Sequence, residues 1–468
     1  MNKERIKSLA LALLVMMNFV LGGKILTDEK LWPYGYNFFL SLKNSEFLKA
    51  ITNSTDRKIT KAHLTKPEQI IVNTGDQTSR IAIKPNDEIF SEISIAADEL
   101  ISEALKNEAK NIFFAPKSEW VSVLGGKSVC LNYAVPYNTK LFGEFFGADT
   151  SVLSSFVQSF ARIVITEERA VYFEDFKTGN FYKTESRHNS DRLVSIINKT
   201  RSLYRENDKI INYAVDLKFD EAFGSQKAVL SPAVPVYSTS VKLPGLTPVN
   251  PLKNAGGDFD RDIIDEILPV FKINAGNVRR YSEVDGTMVF VENNGILKIH
   301  PDGELYYQST DSNGFYLSSG ESYTETVSAL ADLADRVNAA CMEKCDLYLS
   351  DTLTADGETV TFDYRAEGIP VNIDNDGRHR NAVTAEIKGG SLTSYRQILK
   401  NYIPCGEFYE TSAYIEALDS AIEEYVHNMN NIEIQKVFLS YSDNGESPIK
   451  ADWETKVKSI VINKEDMK

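Results

Sequence analysis

An almost unbroken apolar run from Ser8 to Gly23 sits between Met-Asn-Lys-Glu-Arg-Ile-Lys and Lys24. As a helix, Ile6 to Leu26 would span about 31 Å, matching the roughly 30 Å hydrocarbon core of a bilayer. Lys3, Arg5 and Lys7 flank the near end, with Glu4 as the only acid. Basic residues stay cytoplasmic, so the N-terminus is expected inside and the body outside. Lys24 falls near the far end, where its ammonium reaches the headgroups. The competing reading is a cleavable signal peptide, for which Val20-Leu21-Gly22 is a poor small-x-small site. No cysteine follows the run, which argues against a lipoprotein anchor. An uncleaved transmembrane anchor over residues 1–26 is expected, and either reading puts the body outside the cytoplasm.

Asn18 places an amide inside the run, where pairing on a neighbouring helix gains about 0.6 kcal/mol. Ser8 and Ala12 form a small-xxx-small pair that allows close helix approach. These three residues are the candidate transmembrane contact; a lone anchor would also tolerate them. Trp32, Tyr34 and Tyr36 suit a membrane interface or the start of the soluble fold.

The chain has 468 residues, 43% of them hydrophobic, as in folded domains. Its formal net charge of −15, with no basic block beyond the N-terminus, argues against nucleic acid and anionic lipid as partners. Four cysteines are too few to frame a disulfide-built fold. Cys341 and Cys345 supply only half a zinc site, so Cys130, Cys341, Cys345 and Cys405 read as small buried hydrophobes.

Residues 27–64 read as a juxtamembrane segment. An α+β domain is expected over 65–206. It opens with the strands Gln69-Ile-Ile-Val and Arg80-Ile-Ala-Ile. A helix follows with Ile89, Ile93, Ala96, Ala97, Leu100 and Ala104 at helical spacing. Asn111-Ile-Phe-Phe and Trp120-Val-Ser-Val-Leu read as strands, Leu141 to Phe146 as a short helix, and Ser190 as the cap of another. A middle β-rich domain over 207–315 holds two proline-spaced segments suited to a linker or edge strand, near Ser231 and over Leu243 to Pro251. A C-terminal α+β domain over 316–468 begins with a helix capped by Thr324, presenting Val327, Leu330, Ala331, Ala334 and Val337. Four strands follow, with hairpin signals at Asp356-Gly357, Asp376-Gly377 and Gly389-Gly390. A second amphipathic helix carries Ile415, Leu418, Ile422 and Tyr425, and leads into Ile434, Val437, Leu439 and Tyr441.

Catalytic motifs are missing from the sequence. His63, His188, His300, His379 and His427 are scattered, and none belongs to an H-E-x-x-H pair. Gly125-Gly126-Lys127-Ser128 ends like a P-loop, but the spacing fails at Val121, so a turn between strands is expected. Asp258, Asp260 and Asp262 open like a calcium loop, but Ile263 and Pro269 replace the required Gly and Glu. They read instead as acids at a helix N-terminus. Glu167-Glu168 and Glu423-Glu424 read as solvated faces.

Two segments resemble a known family. The first is Val278-Arg-Arg-Tyr with Asp285-Gly-Thr-Met-Val-Phe-Val-Glu-Asn-Asn-Gly-Ile-Leu-Lys-Ile-His, ending in Leu305-Tyr-Tyr. It is similar to the middle region of the YycH (WalH) regulatory family. The second is Asp346-Leu-Tyr-Leu-Ser-Asp, Val360-Thr-Phe-Asp-Tyr-Arg-Ala-Glu-Gly-Ile-Pro-Val and Ala385-Glu-Ile-Lys-Gly-Gly-Ser-Leu-Thr-Ser-Tyr-Arg. It resembles the repeat shared by YycH, its sister YycI and, more loosely, PepSY-like domains. The resemblance implies a single-pass membrane protein with an external body of bent antiparallel sheets packed with helices. It also implies no enzyme activity and no cofactor. The implied function is regulation of the sensor histidine kinase of the YycFG (WalKR) system, which controls cell-wall metabolism in Gram-positive bacteria. That regulation works by protein–protein contact, with a sister YycI-type protein as a further partner. The alternatives are an exported wall- or peptide-binding protein and a PepSY-type peptidase modulator or hydrolase.

Overall fold

Strand pairing in the computed structural model builds two large sheets and one two-stranded ribbon. The structure describes residues 64–459, apart from 76–79, 108–110, 205–209, 222–227, 239, 294, 311–314, 319–321, 342–345, 351–358, 376–377 and 427–431. The expected anchor, with Ser8, Ala12 and Asn18, lies outside the described residues, as do 27–63 of the expected juxtamembrane segment. Among the described residues no helix is long and apolar enough to cross a membrane.

The first sheet uses β1 (Gln69–Thr74), β2 (Arg80–Ile83), β3 (Phe113–Ala115), β4 (Lys127–Asn138), β5 (Ser159–Thr166), β6 (Ala170–Asp175), β7 (Phe181–Glu185) and β8 (Ile210–Tyr213). After β9 (Ala228–Leu230) comes its last strand, β10 (Pro235–Val236); the spatial order is β10-β8-β2-β1-β4-β5-β6-β7-β3. Successive strand residues face opposite ways. Ile70, Val72, Leu131 and Ile163 therefore join the main core, with α1 (Phe90–Asn107) and the later α5 (Asp191–Leu203). Ile71, Cys130 and Val164 join a second core, closed by Trp120 and Leu124 of α2 (Lys117–Gly125).

That second core explains a correction. Trp120–Leu124 is helical, although its valines suit a strand. Trp120 and Leu124 lie at i and i+4 on one helical face, and Trp120 stacks on Phe181 at 4.6 Å. Packing overrides local β-propensity here. Gly125-Gly126 consequently joins a helix to a strand, not two strands. Ser190 does stand at the N-cap of α5, but its hydroxyl donates to the Glu167 carbonyl instead of capping. The short helices α3 (Thr139–Phe145) and α4 (Leu153–Phe156) precede β5.

β11 (Lys242–Val249) carries the later proline-spaced segment and pairs with β23 (Asn401–Glu410) in the ribbon. The second sheet contains β9, then, past α6 (Arg261–Ile267), β12 (Arg279–Ser282), β13 (Met288–Glu292), β14 (Gly295–Ile299), β15 (Glu304–Ser309) and β16 (Phe315–Tyr316). Past α7 (Tyr323–Cys341) it continues with β17 (Asp346–Leu349), β18 (Thr359–Ala366), β19 (Ile369–Asn375), β20 (Arg378–Arg380), β21 (Val383–Lys388) and β22 (Ser391–Ile398). β24 (Ile432–Asp443) and β25 (Ala451–Ser459), after α8 (Tyr414–Val426), complete it. Helix α7 buries the expected Val327, Leu330, Ala331, Ala334 and Val337, but it starts at Tyr323, so Thr324 is inside it and not its cap. Helix α8 buries Tyr414, Leu418, Ala421 and Ile422, while Ile415 is 42% exposed. At the β21–β22 hairpin Gly389 and Gly390 have φ of +55° and +76°, the doubly left-handed turn that matches strand twist.

If Trp120–Leu124 were a strand, Ser122 would share the buried face of Trp120; in the helix it is exposed. Ser122→Lys should change unfolding free energy by under about 0.5 kcal/mol. Trp120→Ala should cost about 3–5 kcal/mol in the same denaturation experiment.

Candidate functional site

The two sheets meet where two strands lose their register. In β4, residues 133–136 oppose the single residue 161 of β5, because Asn132 pairs with Arg162 and Tyr137 with Phe160. Such a bulge leaves backbone groups without ladder partners. In β24, Gln435 is extra between the pairs Ile434–Val457 and Lys436–Lys456. The Lys436 ammonium crosses the gap and donates to the carbonyls of Tyr133 (3.1 Å) and Ala134 (3.0 Å). It also pairs with the Glu68 carboxylate, and the two side chains are only 12% and 11% exposed. Burial pushes the Lys436 ammonium down to about 8 against the opposing pull of Glu68.

Arg162 of β5 makes the reciprocal crossing. One guanidinium nitrogen donates to Glu174 at 2.8 Å and to Ser231 at 3.1 Å, and another donates to the Gln435 carbonyl. Beside this seam, the Tyr237 ring packs tilted at 4.9 Å against Trp453 of β25, and the Tyr414 hydroxyl donates to the Pro235 carbonyl at 2.6 Å. Chain topology reinforces the join. β8 and β10 belong to the first sheet, while β9 between them runs parallel to β24 in the second.

A cavity of about 610 Å³ opens next to the seam, between the β4 bulge at Ala134 and Val135 and the strands β18–β20 and β25. β18 changes partner here: Thr359–Phe362 pair with β21 and Tyr364–Ala366 with β19. Asp363 sits between these two stretches and accepts from the Ala382 N–H at 3.0 Å and from Asn381 at 3.3 Å. His379 lies 3.5 Å from Asp363, and that hydrogen bond raises the imidazole above its ordinary range.

The structure spends most residues singled out in the sequence on local jobs. Asp260 caps α6, accepting from the N–H groups of Asp262 and Ile263. Burial pushes the Cys130 and Cys341 thiols up to about 12, whereas Cys405 is exposed on β23 and so is not the buried hydrophobe expected. Cys345, His63 and His427 lie outside the described residues. Glu167 is 3.7 Å from Lys127, and His300 shares a hydrogen bond with Thr287. Among the described residues no three His, Cys, Asp or Glu side chains converge as a metal site. Lys436, Glu68, Arg162 and Asp363 were not singled out.

No protein-family model matches the sequence, and no curated protein matches it. A solved structure does. YycH from Bacillus subtilis superposes with a TM-score of 0.54 at 12% identity, over 86% of this chain and 97% of that chain. The fold is that of YycH. The likeness spans nearly all of YycH.

Removing one partner of a buried ion pair leaves an uncompensated charge, at a cost of about 3–5 kcal/mol. Lys436→Met should lose about that much in chemical denaturation. Lys436→Met combined with Glu68→Met should recover only part of it, because the Tyr133 carbonyl still lacks the Lys436 donor and the Ala134 carbonyl keeps only Lys456 at 3.4 Å. In the folded chain Lys436 sheds its proton near pH 8, below the ordinary lysine value of 10.5. Between those pH values the unfolded chain holds the extra proton, so wild-type stability should rise with pH relative to Lys436→Met. Below about 8 the full penalty for the buried ammonium applies.

Proposed function

We propose that this chain is a membrane-anchored, extracytoplasmic regulator of a sensor histidine kinase of the YycG (WalK) type. It acts by protein–protein contact and not by catalysis. The observation that carries this reading is the YycH-like fold across 86% of the chain. The segments around Val278–His300 and Asp346–Arg396 that resemble the YycH family support it, as does the sequence without catalytic motifs. In this reading residues 1–26 anchor the protein with its N-terminus in the cytoplasm, and Ser8, Ala12 and Asn18 form a helix–helix contact. Residues 316–468 are a YycI/PepSY-like unit, and a sister YycI-type protein is a second partner.

Regulation by contact requires different affinities for two kinase conformations; about 1.4 kcal/mol of difference changes their ratio tenfold. Full-length protein purified in mild detergent should bring the kinase with it, and deletion of the gene should change kinase output. Absence of the kinase from the purified material, together with unchanged output on deletion, would sink the reading. Replacing Ile6 to Leu26 by an unrelated apolar helix should abolish regulation while leaving the body folded.

A further inference from the structure

The cavity beside the seam has walls of both charge signs, and their hydrogen bonds are unevenly filled. Its volume of about 610 Å³ lies within the roughly 300–1,000 Å³ usual for small-molecule sites. Asp363, Asp374 and Glu454 supply carboxylates, and Lys456 supplies an ammonium. Asp363 is occupied by Ala382 and Asn381, and Glu454 accepts from Asn372. Asp374 is different: its Oδ1 is buried and meets no donor among the described residues. A buried acceptor left without a donor costs about 1–3 kcal/mol, more when it is charged, so the Asp374 carboxylate gains by turning that oxygen toward a ligand donor in the cavity. Lys456 donates to the Ala134 carbonyl at 3.4 Å and stands 5.7 Å from the Phe438 ring, which leaves donor capacity on its ammonium for a further acceptor. Burial lowers its pKa against the pull of Glu68, Glu454 and Asp363, and a ligand carboxylate would add to that pull. Phe438 and Tyr348 add apolar wall.

We propose that this cavity binds a small zwitterion, an amino acid or short peptide, with its ammonium on Asp374 and its carboxylate on Lys456. A ligand carrying both charges satisfies both groups through charge-assisted hydrogen bonds and brings no net charge into the site. Because the cavity is lined from the β4 bulge on one side and β18–β20 and β25 on the other, the ligand would touch both sheets at once. The inference does not depend on the kinase reading.

The test is calorimetric titration of the full-length protein in detergent with alanine, with trialanine, and with N-acetyl-trialanine amide, which lacks both end charges. Saturable binding of trialanine alone would identify a peptide site, and binding of alanine as well an amino-acid site. The blocked peptide should show none. Asp374→Asn, which keeps side-chain shape, should weaken binding at least tenfold, and Lys456→Met should do likewise. No saturable binding of either zwitterion at concentrations on the order of 10 mM would overturn the proposal. So would equal binding of the blocked peptide to the wild-type protein, or undiminished binding by Asp374→Asn.

Discussion

One lysine ammonium, buried between two sheets, meets the hydrogen-bonding needs of both. Lys436 of β24 serves two carbonyls that the β4 bulge removes from the ladder, and it neutralises Glu68. Without it Glu68 and the Tyr133 carbonyl would lose this donor and the Ala134 carbonyl would keep only Lys456 at 3.4 Å, at a cost comparable to lost hydrogen bonds or more. The two bulges have to face each other for this to work. The weave of β8, β9 and β10 holds them there, because consecutive strands of one short segment are committed to different sheets. Arg162 and the Tyr237–Trp453 ring contact then extend the join.

A buried ion pair is weak as a source of net stability, since desolvation offsets most of the Coulomb attraction. Its value here is specificity of arrangement. An apolar side chain at position 436 would fill the space, but it would not discriminate the bulged register of β4 from a regular one. A regular register would flip every following side chain of β4 to the opposite face. Tyr137, which follows the bulge, packs in the main core, so its face cannot be exchanged.

Much of this fold was legible in the sequence, because its elements follow apolar periodicity. The core faces of α1 and α7, most strands and the Gly389-Gly390 hairpin appear where the spacing put them. Trp120–Leu124 was misread because alternation over five residues cannot separate a strand from one helical turn bearing an i,i+4 pair. The cap at Thr324 was misplaced by two residues, since the helix begins at Tyr323, a scale on which propensity does not discriminate. The seam was not read, although one signal was present. Ile434, Val437, Leu439 and Tyr441 alternate except for a three-residue step after Ile434, and that step is where Gln435 bulges. Nothing local to Glu68 or Asp363 reveals that either is buried, since their partners are 368 and 19 residues away.

Lys436 and Arg162 join the two sheets at the seam, so a partner of this body would meet them in one arrangement. A ligand in the cavity would bear on the same arrangement, because it would touch the β4 bulge and β25 together. Both ideas require the described body to behave as one cooperative unit with Lys436 inside it. Native-state hydrogen exchange of the full-length chain, wild type against Lys436→Met, measures this directly. The account predicts that the slowest amides of β1 and of β18, one strand from each sheet, lose the same free energy of protection. Loss confined to β24 and β25, with β1 and β18 unchanged, would contradict it.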